Sequence, residues 1–554
     1  MLGGKMHNQG GINRSIHLKD IFKSSAYLVS TEPEPDLWVE SCSRNPEETR
    51  SGSAYFAVFP VKSIAVPKLP LNSSILAEPV LDEVSESDSD DFTPIPQNTW
   101  NDHELYQSIN KAIELGCKVV IADRPLRGLS VPLLVVSNPA EAFGVCCHAL
   151  KDNPGQSLTL IGITGTYGKT STSYLAAGML AESGNPVGLI GTLGIYDGEK
   201  MFPSTEASLP PDELAYWLSR MVANGCSHAI MEISSQAIAQ SDLAGIKFDA
   251  ICLTNIRRNH IDFHKTVEAY RRTKLSVFQY LKKKGIAICN ADDLVTSAVL
   301  PLIDHPVLTV GMRNHSEVSG MVLERGIGEQ TFLITAGTEV VPLSTKMVGE
   351  EHLFNCLTTA ALGIGLGIDL RISVRGIERV TSVPGRMEQI DCGQPFSVFV
   401  DCAPTPESLA GSLKSLRKIV LGKIYCVFGL DEQTDRERSD LIGRTLRTFA
   451  DVSILTAGEL QSPYGKIQPE SVSEILKETD FKIPTKQGNI RVIETRPEAI
   501  AWALSNAEPE DCVLVVGRGC SDFQRFIEAE EGNLCDRNYV KHWLYENQPC
   551  LSFI

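Results

Sequence analysis

Apolar and polar positions alternate through the middle of the chain in a pattern typical of α/β proteins. From Ser157 onward, short apolar runs that end in glycine or a polar loop alternate with segments of helical spacing. Buried strands are predicted for SLTLIGITG, PVGLIGTLG, HAIMEISSQ, DAICLTNI and GIAICNADD, and a helix is predicted for KTSTSYLAAGMLAESG. Because helical crossovers join parallel strands, this pattern predicts a mainly parallel sheet with helices on both faces.

Similar patterns flank this central region on both sides. AYFAVFPV, KVVIADRP and LLVVSNPAEAFGVCCHAL precede it, and FSVFVDCA, KIYCVFGL, VSILTAG and CVLVVGRG follow it. We therefore predict three α/β domains: a smaller N-terminal domain over 1–155, a central P-loop-type domain over 156–382 and a Rossmann-like C-terminal domain over 383–554. The acidic, proline-containing stretch near 62–101 is predicted to be a loop or linker inside the first domain.

Composition excludes several classes of protein. The net charge is −17 over 554 residues, which argues against a nucleic-acid-coating role. No apolar run approaches the roughly 20 residues of a membrane span, and the first 20 residues lack the apolar core of a signal peptide. The 15 cysteines include no Cys-x-x-Cys pair, so zinc-ribbon and thioredoxin-like sites are not expected. These features predict a cytoplasmic protein that neither binds nucleic acid nor spans a membrane.

The segment GTYGKTS has the properties of a phosphate-binding loop, although its spacing is shorter than the general pattern. That pattern would require glycine at Ile163. The segment follows a predicted strand and opens a predicted helix, so its backbone N–H groups and the helix dipole would face a phosphate. Gly165 and Gly168 would allow close approach, Lys169 would contact phosphate oxygens, and the Thr170 hydroxyl would hold Mg²⁺. The alternative is a glycine-rich turn with an exposed lysine.

Four further residues carry candidate chemistry downstream of the loop. Glu232 stands near the end of an apolar predicted strand, where a carboxylate is either a Mg²⁺ ligand or part of a structural ion pair. His260 and His264 are four residues apart, which is a weak indication of zinc, and exposed loop histidines are the default interpretation. Lys274 is predicted from helical periodicity alone to be a solvated cation.

Six segments occur in an order that resembles the Mur ligases, most closely the MurE branch. These segments are GTYGKTS, MEISSQAI, TNIRRNHIDFH-x5-Y-x3-K, NADD, VPGRMEQID and DCAPTPESL. The resemblance implies an ATP- and Mg²⁺-dependent enzyme that adds diaminopimelate or a lysine-like amino acid to UDP-N-acetylmuramoyl-L-Ala-D-Glu through an acyl phosphate, in peptidoglycan precursor synthesis. A weaker similarity at 42–59 implies that the N-terminal domain binds the UDP-linked substrate. A monomer is expected.

The resemblance also implies a role for individual residues. The catalytic residues would be Lys169, Glu232, His260 and Lys274, with Lys274 carbamylated. The Mg²⁺ ligands would be Thr170, Glu232, His260 and carbamylated Lys274. The residues around ATP would be Gly165, Thr166, Gly168, Lys169, Thr170, Asn290, Asp292, Asn355, Arg386 and Asp401. The residues around the muramoyl substrate would be Ser43, Thr205, Glu206, Ser234 and Gln236.

The sequence departs from the family pattern mainly toward its C-terminus. Four residues of the family pattern are replaced: two histidines by Gln236 and Pro404, an aspartate by Asn259 and a tyrosine by Cys402. Two glycines of the C-terminal domain become Asp431 and Glu432, which adds negative charge. The family's DNPR box falls on residues 458–461 without its arginine, the bidentate partner for a carboxylate, and its GKGHE segment falls on 517–521 without His or Glu.

These departures leave two main alternatives. One is a working ligase with altered amino-acid specificity, which retention of Lys169, Thr170, Glu232, His260 and Lys274 favours. The other is a MurE-like protein that binds a nucleotide or a partner and has lost ligase activity. A folylpolyglutamate-synthase-like ligase is a third interpretation, against which the VPGRME segment and the N-terminal domain argue.

Overall fold

The structure is a computed structural model that describes residues 15–18, 21, 29–30, 38–58, 102–204, 208–403, 405–430, 436–457, 489–517 and 535–547. Several positions singled out above lie outside these ranges. They are the acidic stretch at 62–101, Thr205, Glu206, Pro404, Asp431, Glu432, residues 458–461 and residues 518–521.

The N-terminal part contains a five-stranded sheet of order β2-β7-β6-β5-β4 and a separate β1-β3 pair. Its strands are β1 (Ile16–His17), β2 (Val29–Ser30), β3 (Trp38–Val39), β4 (Cys42–Ser43), β5 (Ala54–Phe56), β6 (Val119–Ala122) and β7 (Leu133–Val135). Its helices are α1 (Asp102–Glu114) and α2 (Pro139–Ala149). Asn138 begins α2 because its side chain accepts the N–H groups of Ala140 and Glu141. The predicted strands and helices of this region are confirmed.

The central part is built on an eleven-stranded sheet of order β11-β10-β9-β12-β8-β13-β14-β15-β16-β17-β18. Its strands are β8 (Thr159–Thr164), β9 (Val187–Gly191), β10 (Gly194–Tyr196), β11 (Met201–Phe202), β12 (His228–Ile233), β13 (Phe248–Leu253), β14 (Leu281–Asn290), β15 (Val307–Gly311), β16 (Val318–Arg325), β17 (Gln330–Ala336) and β18 (Glu339–Thr345). Its helices are α3 (Lys169–Glu182), α4 (Pro211–Ala223), α5 (Ser235–Ala239), α6 (Ile261–His264), α7 (Val267–Leu275), α8 (Leu294–Val299), α9 (Glu350–Gly365) and α10 (Leu370–Glu378).

The five predicted strands, together with β15 and β16, form the parallel middle of this sheet, which antiparallel strands extend at both edges. Each face has its own apolar core, with Leu160 and Phe248 in one and Ile161 and Ile163 in the other. Alternate residues of β8 therefore pack under different helices, and each buried leucine or isoleucine contributes about 1.5–3 kcal/mol. This arrangement places the carboxyl ends of β8, β12 and β13 along one edge of the sheet.

The C-terminal part contains a six-stranded sheet of order β19-β20-β24-β21-β22-β23, parallel except for β19. Its strands are β19 (Glu388–Gln389), β20 (Ser397–Asp401), β21 (Ile424–Leu430), β22 (Val452–Ala457), β23 (Asn489–Val492) and β24 (Cys512–Val516). Its helices are α11 (Pro406–Arg417), α12 (Arg436–Phe449), α13 (Arg496–Asn506) and α14 (Asp536–Asn547). The predicted α/β class is confirmed, whereas the domain boundaries after residues 155 and 382 stay predictions. No helix in the described ranges is long and apolar enough to cross a membrane.

Candidate active site

The phosphate-loop segment connects the end of β8 to the start of α3 and is closely packed against neighbouring side chains. Gly165 has φ 150°, and a Cβ there would lie 1.9 Å from the Thr254 hydroxyl oxygen. Gly168 has φ 84°, and a Cβ there would lie 2.4 Å from Asn355 Oδ1. Both positions therefore require glycine for backbone conformation and for space. The loop joins strand to helix in the way that a phosphate site needs.

Lys169, the first residue of α3, folds back over the loop. Its Nζ donates hydrogen bonds to the carbonyl oxygens of Gly165 at 3.1 Å and Thr166 at 3.2 Å. Burial lowers the pKa of this lysine, the nearby Glu232 carboxylate acts in the opposite direction, and the Arg386 guanidinium lowers the pKa further. The ammonium group thus lies over the loop with no direct carboxylate partner among the residues that the structure describes, and an anion there would stabilise it.

Glu232 lies near the carboxyl end of β12 and is 1% exposed. Its Oε2 accepts hydrogen bonds from the hydroxyls of Thr170 at 3.0 Å and Thr192 at 2.9 Å, and its Oε1 accepts the Thr192 N–H at 3.2 Å. Hydroxyl and amide donors hold this carboxylate, and no ion pair to it is found in the described part of the chain. The structural ion pair considered from the sequence is therefore absent there, and two oxygen ligands suited to a hard cation lie together.

Lys274 lies inside the protein, and the prediction from periodicity that it is a solvated cation is wrong. It is 2% exposed, its Nζ donates to the Thr164 hydroxyl at 3.2 Å, and it lies 5.5 Å from the centre of the Tyr270 ring. Burial and the charge of Lys169 hold the pKa of Lys274 well below its usual range. Neighbouring elements cover the face of the short helix α7 that carries Lys274. The prediction failed because the spacing of residues along a helix does not reveal which face its neighbours cover.

The two histidines of the TNIRRNHIDFH segment have different surroundings. His264 is buried, with Nε2 2.9 Å from the Ser235 hydroxyl, and burial lowers its pKa to about 4. His260 is exposed at φ 52°, and its Nδ1 lies 3.0 Å from Gln236 Nε2. The weak zinc indication is not supported, because no group of three or more His, Cys, Asp or Glu side chains in the described ranges could hold a metal ion.

Two of the remaining residues predicted around ATP lie beside the loop, whereas Asp292 makes other contacts. Asn355 accepts the Thr172 hydroxyl at 3.2 Å, and Arg386 Nη2 lies 3.4 Å from the Thr170 hydroxyl, so both are beside the loop. Asp292 accepts three backbone N–H groups at 2.7–3.0 Å, from Met312, Arg313 and Asn314. These hydrogen bonds fix the segment that follows β15.

Four other predicted residues make local contacts. The Asn290 side chain accepts the Asp292 N–H at 2.9 Å, and Asp401 accepts the Met387 N–H at 3.0 Å and the Ser412 hydroxyl at 2.6 Å. The Ser234 hydroxyl begins α5 by accepting the Ala237 N–H at 3.0 Å. The Ser43 hydroxyl donates to the Asn45 carbonyl at 2.7 Å in the N-terminal part. Their nucleotide and substrate contacts stay predictions.

Comparison with known proteins identifies the family. Residues 163–363 match the Mur ligase middle domain, and residues 385–519 match the Mur ligase, glutamate ligase domain. The UDP-N-acetylmuramoyl-L-alanyl-D-glutamate–2,6-diaminopimelate ligase of Geobacillus thermodenitrificans is 30% identical over 420 residues, which are 75% of this chain and 84% of that relative. This chain belongs to the Mur ligase family. The resemblance inferred from the six segments is confirmed, as is the predicted class of ligase that forms C–N bonds.

Solved structures of Mur ligases share the fold. A UDP-N-acetylmuramoyl-L-alanyl-D-glutamate–2,6-diaminopimelate ligase superposes with a TM-score of 0.62 at 21% identity, covering 91% of this chain and 94% of its own. The MurF ligase of Thermotoga maritima in complex with ADP superposes with a TM-score of 0.56 at 16% identity, covering 92% and 98%. This chain thus shares the mixed α/β fold of solved Mur ligases.

Several residues around the loop of this Mur ligase had no role in the sequence-based prediction. Asn255 accepts the Tyr167 N–H at 3.0 Å and donates to its carbonyl at 3.2 Å, and the Thr254 hydroxyl donates to the same carbonyl at 2.6 Å. Thr192 holds Glu232, as described above. Asn255 lies just beyond the carboxyl end of β13, where polar residues of a parallel sheet commonly serve a site, and this position was the available signal. Thr192 offered no comparable signal.

Tyr167 connects the phosphate loop to the C-terminal part. Its hydroxyl lies 2.7 Å from the hydroxyl of Thr405, the residue that caps α11. We expect Tyr167→Phe and Thr405→Val to show a coupling free energy of about 0.5–1.5 kcal/mol in a double-mutant cycle on urea unfolding, because one partly buried hydrogen bond joins them. Tyr196→Phe is the matched control, since the Tyr196 hydroxyl donates at 2.8 Å to Gly198 within the central part. Additive effects of Tyr167→Phe and Thr405→Val would contradict the contact.

Proposed function

We propose that this protein is a cytoplasmic, monomeric ligase that uses ATP and Mg²⁺ to join an amino acid to UDP-N-acetylmuramoyl-L-Ala-D-Glu. One observation carries the proposal: Glu232, Thr170 and Arg386 form a hydrogen-bonded group at the mouth of the phosphate loop. The Thr170 hydroxyl is 3.0 Å from Glu232 and 3.4 Å from Arg386. These residues come from α3, β12 and the segment before β19, so the fold itself brings them together.

The donor set around the loop fits Mg²⁺ and a nucleotide. Mg²⁺ takes oxygen ligands and is commonly held by one or two carboxylates together with phosphate and water oxygens. Thr170 and Glu232 supply a hydroxyl and a carboxylate, and we propose His260 and a carbamate on Lys274 as further ligands. When bound, ATP would supply the phosphoryl group that activates the D-glutamate γ-carboxylate as an acyl phosphate. A protein of the same fold carries ADP, which agrees with this assignment.

The residues of this chain would act mainly by positioning and by neutralising charge. Lys169 and Arg386 place two cations beside the loop, and the backbone between Gly165 and Gly168 offers N–H groups to phosphate oxygens. The incoming amine then attacks the activated carbonyl, the C–N bond forms, and phosphate leaves from the tetrahedral intermediate. Holding the amine and the carbonyl together supplies much of the rate enhancement of such a reaction.

Lys274 suits a carbamate because its amine is buried without an acidic partner among the described residues. A lowered pKa increases the share of neutral amine, the form that adds to CO2, and that addition forms an N–C bond and releases a proton. The resulting negative charge would be stabilised by Lys169, whose own charge depresses the pKa of Lys274. The carbamate is therefore the form in which this buried side chain gains an electrostatic partner.

We expect Lys274→Ala to lower ligation at least about 100-fold and to change ATP affinity by less than about threefold. Small carboxylic acids such as acetate are expected to restore part of the activity, because they supply the lost negative charge. In the unmodified protein, carbon-13 NMR with labelled bicarbonate should show a carbamate signal that Lys274→Ala removes. Lys265→Ala is the matched control, since Lys265 is exposed on the adjoining segment. A carbamate signal that persists in Lys274→Ala would assign the modification elsewhere.

The proposed reaction is tested by incubating the purified protein with ATP, Mg²⁺, UDP-N-acetylmuramoyl-L-Ala-D-Glu and a panel of amino acids that includes diaminopimelate and lysine. The expected result is phosphate release that depends on both substrates, with a product whose mass equals dipeptide substrate plus amino acid minus water. If ATP binds but no amino acid gives a product, the ligase proposal is wrong, and the protein is instead a MurE-like protein that binds a nucleotide or a partner. Light scattering during size-exclusion chromatography checks the monomer.

A further inference from the structure

Three cysteine thiols meet in the N-terminal part, away from the phosphate loop. Cys42 lies on the edge strand β4, and Cys146 and Cys147 are consecutive residues of α2. The Cys42 Sγ atom lies 3.4 Å from the Cys147 Sγ atom, although the two residues are 105 positions apart in the sequence. Cys146 and Cys147 are buried, whereas Cys42 is only partly buried.

The three thiols are electrostatically unequal. The side chains of Cys146 and Cys147 hydrogen bond to Cys42 and lower its pKa, against the opposing effects of burial and of the Asp212 carboxylate. The hydrogen bond with Cys42, burial and the charge of Cys42 raise the pKa of Cys146 well above its usual range. Burial, followed by the hydrogen bond with Cys42 and its charge, does the same to the pKa of Cys147. Cys42 is thus the thiol that ionises first, and a thiolate is the reactive form of cysteine.

We propose that Cys42 and Cys147 form a reversible disulfide when the protein meets a hydroperoxide. The Cys42 thiolate attacks the peroxide, so that an S–O bond forms, the O–O bond breaks and the leaving alkoxide takes a proton from water. The Cys147 sulfur then attacks the Cys42 sulfenic acid: the S–S bond forms, the S–O bond breaks, and the hydroxyl leaves as water with the Cys147 proton. The two electrons lost by the thiols reduce the hydroperoxide to an alcohol and water.

The geometry requires little movement for this step. The sulfur atoms must approach from 3.4 Å to about 2.05 Å, the length of a disulfide bond. The bond would join the edge strand β4 to α2 and close a long stretch of chain. Arg44, the next residue after Ser43, bonds Asp242 of the central part at 3.3 Å. The disulfide therefore constrains the segment through which the N-terminal sheet contacts the central sheet.

The experiment treats the fully reduced, full-length protein with hydrogen peroxide and maps its peptides by mass spectrometry without reduction. We expect a peptide that links Cys42 to Cys147 as the main cross-link, and its loss after dithiothreitol. Cys42→Ser should abolish the link, and Cys117→Ser should leave it intact, because Cys117 is buried in a separate apolar cluster of the same sheet. Iodoacetamide at neutral pH should alkylate Cys42 at least about tenfold faster than Cys117.

Three results would overturn the proposal. They are the absence of a Cys42–Cys147 peptide, a link from Cys42 to Cys146 instead, and oxidation of Cys42 to sulfinic acid without a link. The mapping uses the unmodified chain, so it decides the question even if Cys42→Ser does not fold. It needs no ligase activity, and its outcome is therefore independent of the proposed function.

Discussion

Replacing Lys169 with alanine is expected to remove measurable ATP binding and to lower ligation by about a thousandfold, which corresponds to about 4 kcal/mol of transition-state stabilisation. The ammonium group lies over the loop, 3.1–3.2 Å from two loop carbonyls, where it would meet phosphate oxygens. Alanine removes this charge and leaves the loop backbone unchanged, because Thr254 and Asn255 hydrogen bond to the backbone of Tyr167 in the loop. The effect should therefore fall on the bound anion and not on the fold.

Calorimetric titration with ATP and a phosphate-release assay measure the two parts of this prediction. Lys284→Ala is the matched control, since it removes an exposed lysine from β14 of the same sheet. Both variants should unfold within about one degree of the unmodified protein, as surface or site substitutions away from the core usually do. Turnover that survives Lys169→Ala would show that the GTYGKTS segment does not bind the reacting phosphates.

Replacing Asp536 with alanine is expected to lower the free energy of unfolding of the C-terminal part by about 3–5 kcal/mol. Arg496 and Asp536 are 1% and 2% exposed, and Arg496 Nε and Nη2 each donate to an Asp536 carboxylate oxygen at 2.6 Å. Nη2 also donates to the Val516 carbonyl at 2.9 Å. Without Asp536 the guanidinium would remain buried and without a counter-charge, which is the costly state.

Urea unfolding followed by circular dichroism measures this loss of stability. Glu546→Ala is the matched control because Glu546 forms an exposed ion pair with His542 on the same helix, and it should cost less than about 0.5 kcal/mol. The double replacement Arg496→Met with Asp536→Ala should recover most of the loss, since no buried charge remains. A small effect of Asp536→Ala, equal to that of Glu546→Ala, would mean that the buried pair does not hold α14.

The two variants test different parts of the molecule. Lys169 lies at the carboxyl edge of the central sheet, whereas the Arg496–Asp536 pair attaches α14 to the C-terminal sheet. The adjacent Arg537 donates to Glu388 at 2.7 Å, and Glu388 also accepts the Gly385 N–H at 2.9 Å, next to Arg386. Through Arg537 and Glu388, α14 therefore also contacts the segment that places Arg386 beside the phosphate loop. Loss of Asp536 should weaken ligation as well as stability.

Local patterns predicted the central strands of the three sheets and brought out the candidate site residues of the GTYGKTS segment. The strands β8, β9, β12, β13 and β14 are continuous apolar runs, and the loop that contains Lys169 and Thr170 is contiguous in sequence. The antiparallel strands β16–β18 were not predicted. Buried and exposed residues alternate only partly along these strands, so their sequence pattern is weak. Where they pair depends on the sheet edge that the parallel strands create.

The sequence by itself determined the fold class and the family, because both depend on residue types at short, fixed spacing. Only the tertiary structure decided that Lys274 is buried, that Thr192 holds Glu232, that Tyr167 meets Thr405 and that Cys42 meets Cys147. The physical reason is the same in each case. The free energy and chemistry of a polar side chain depend on which groups surround it, and those groups come from segments far apart in the chain.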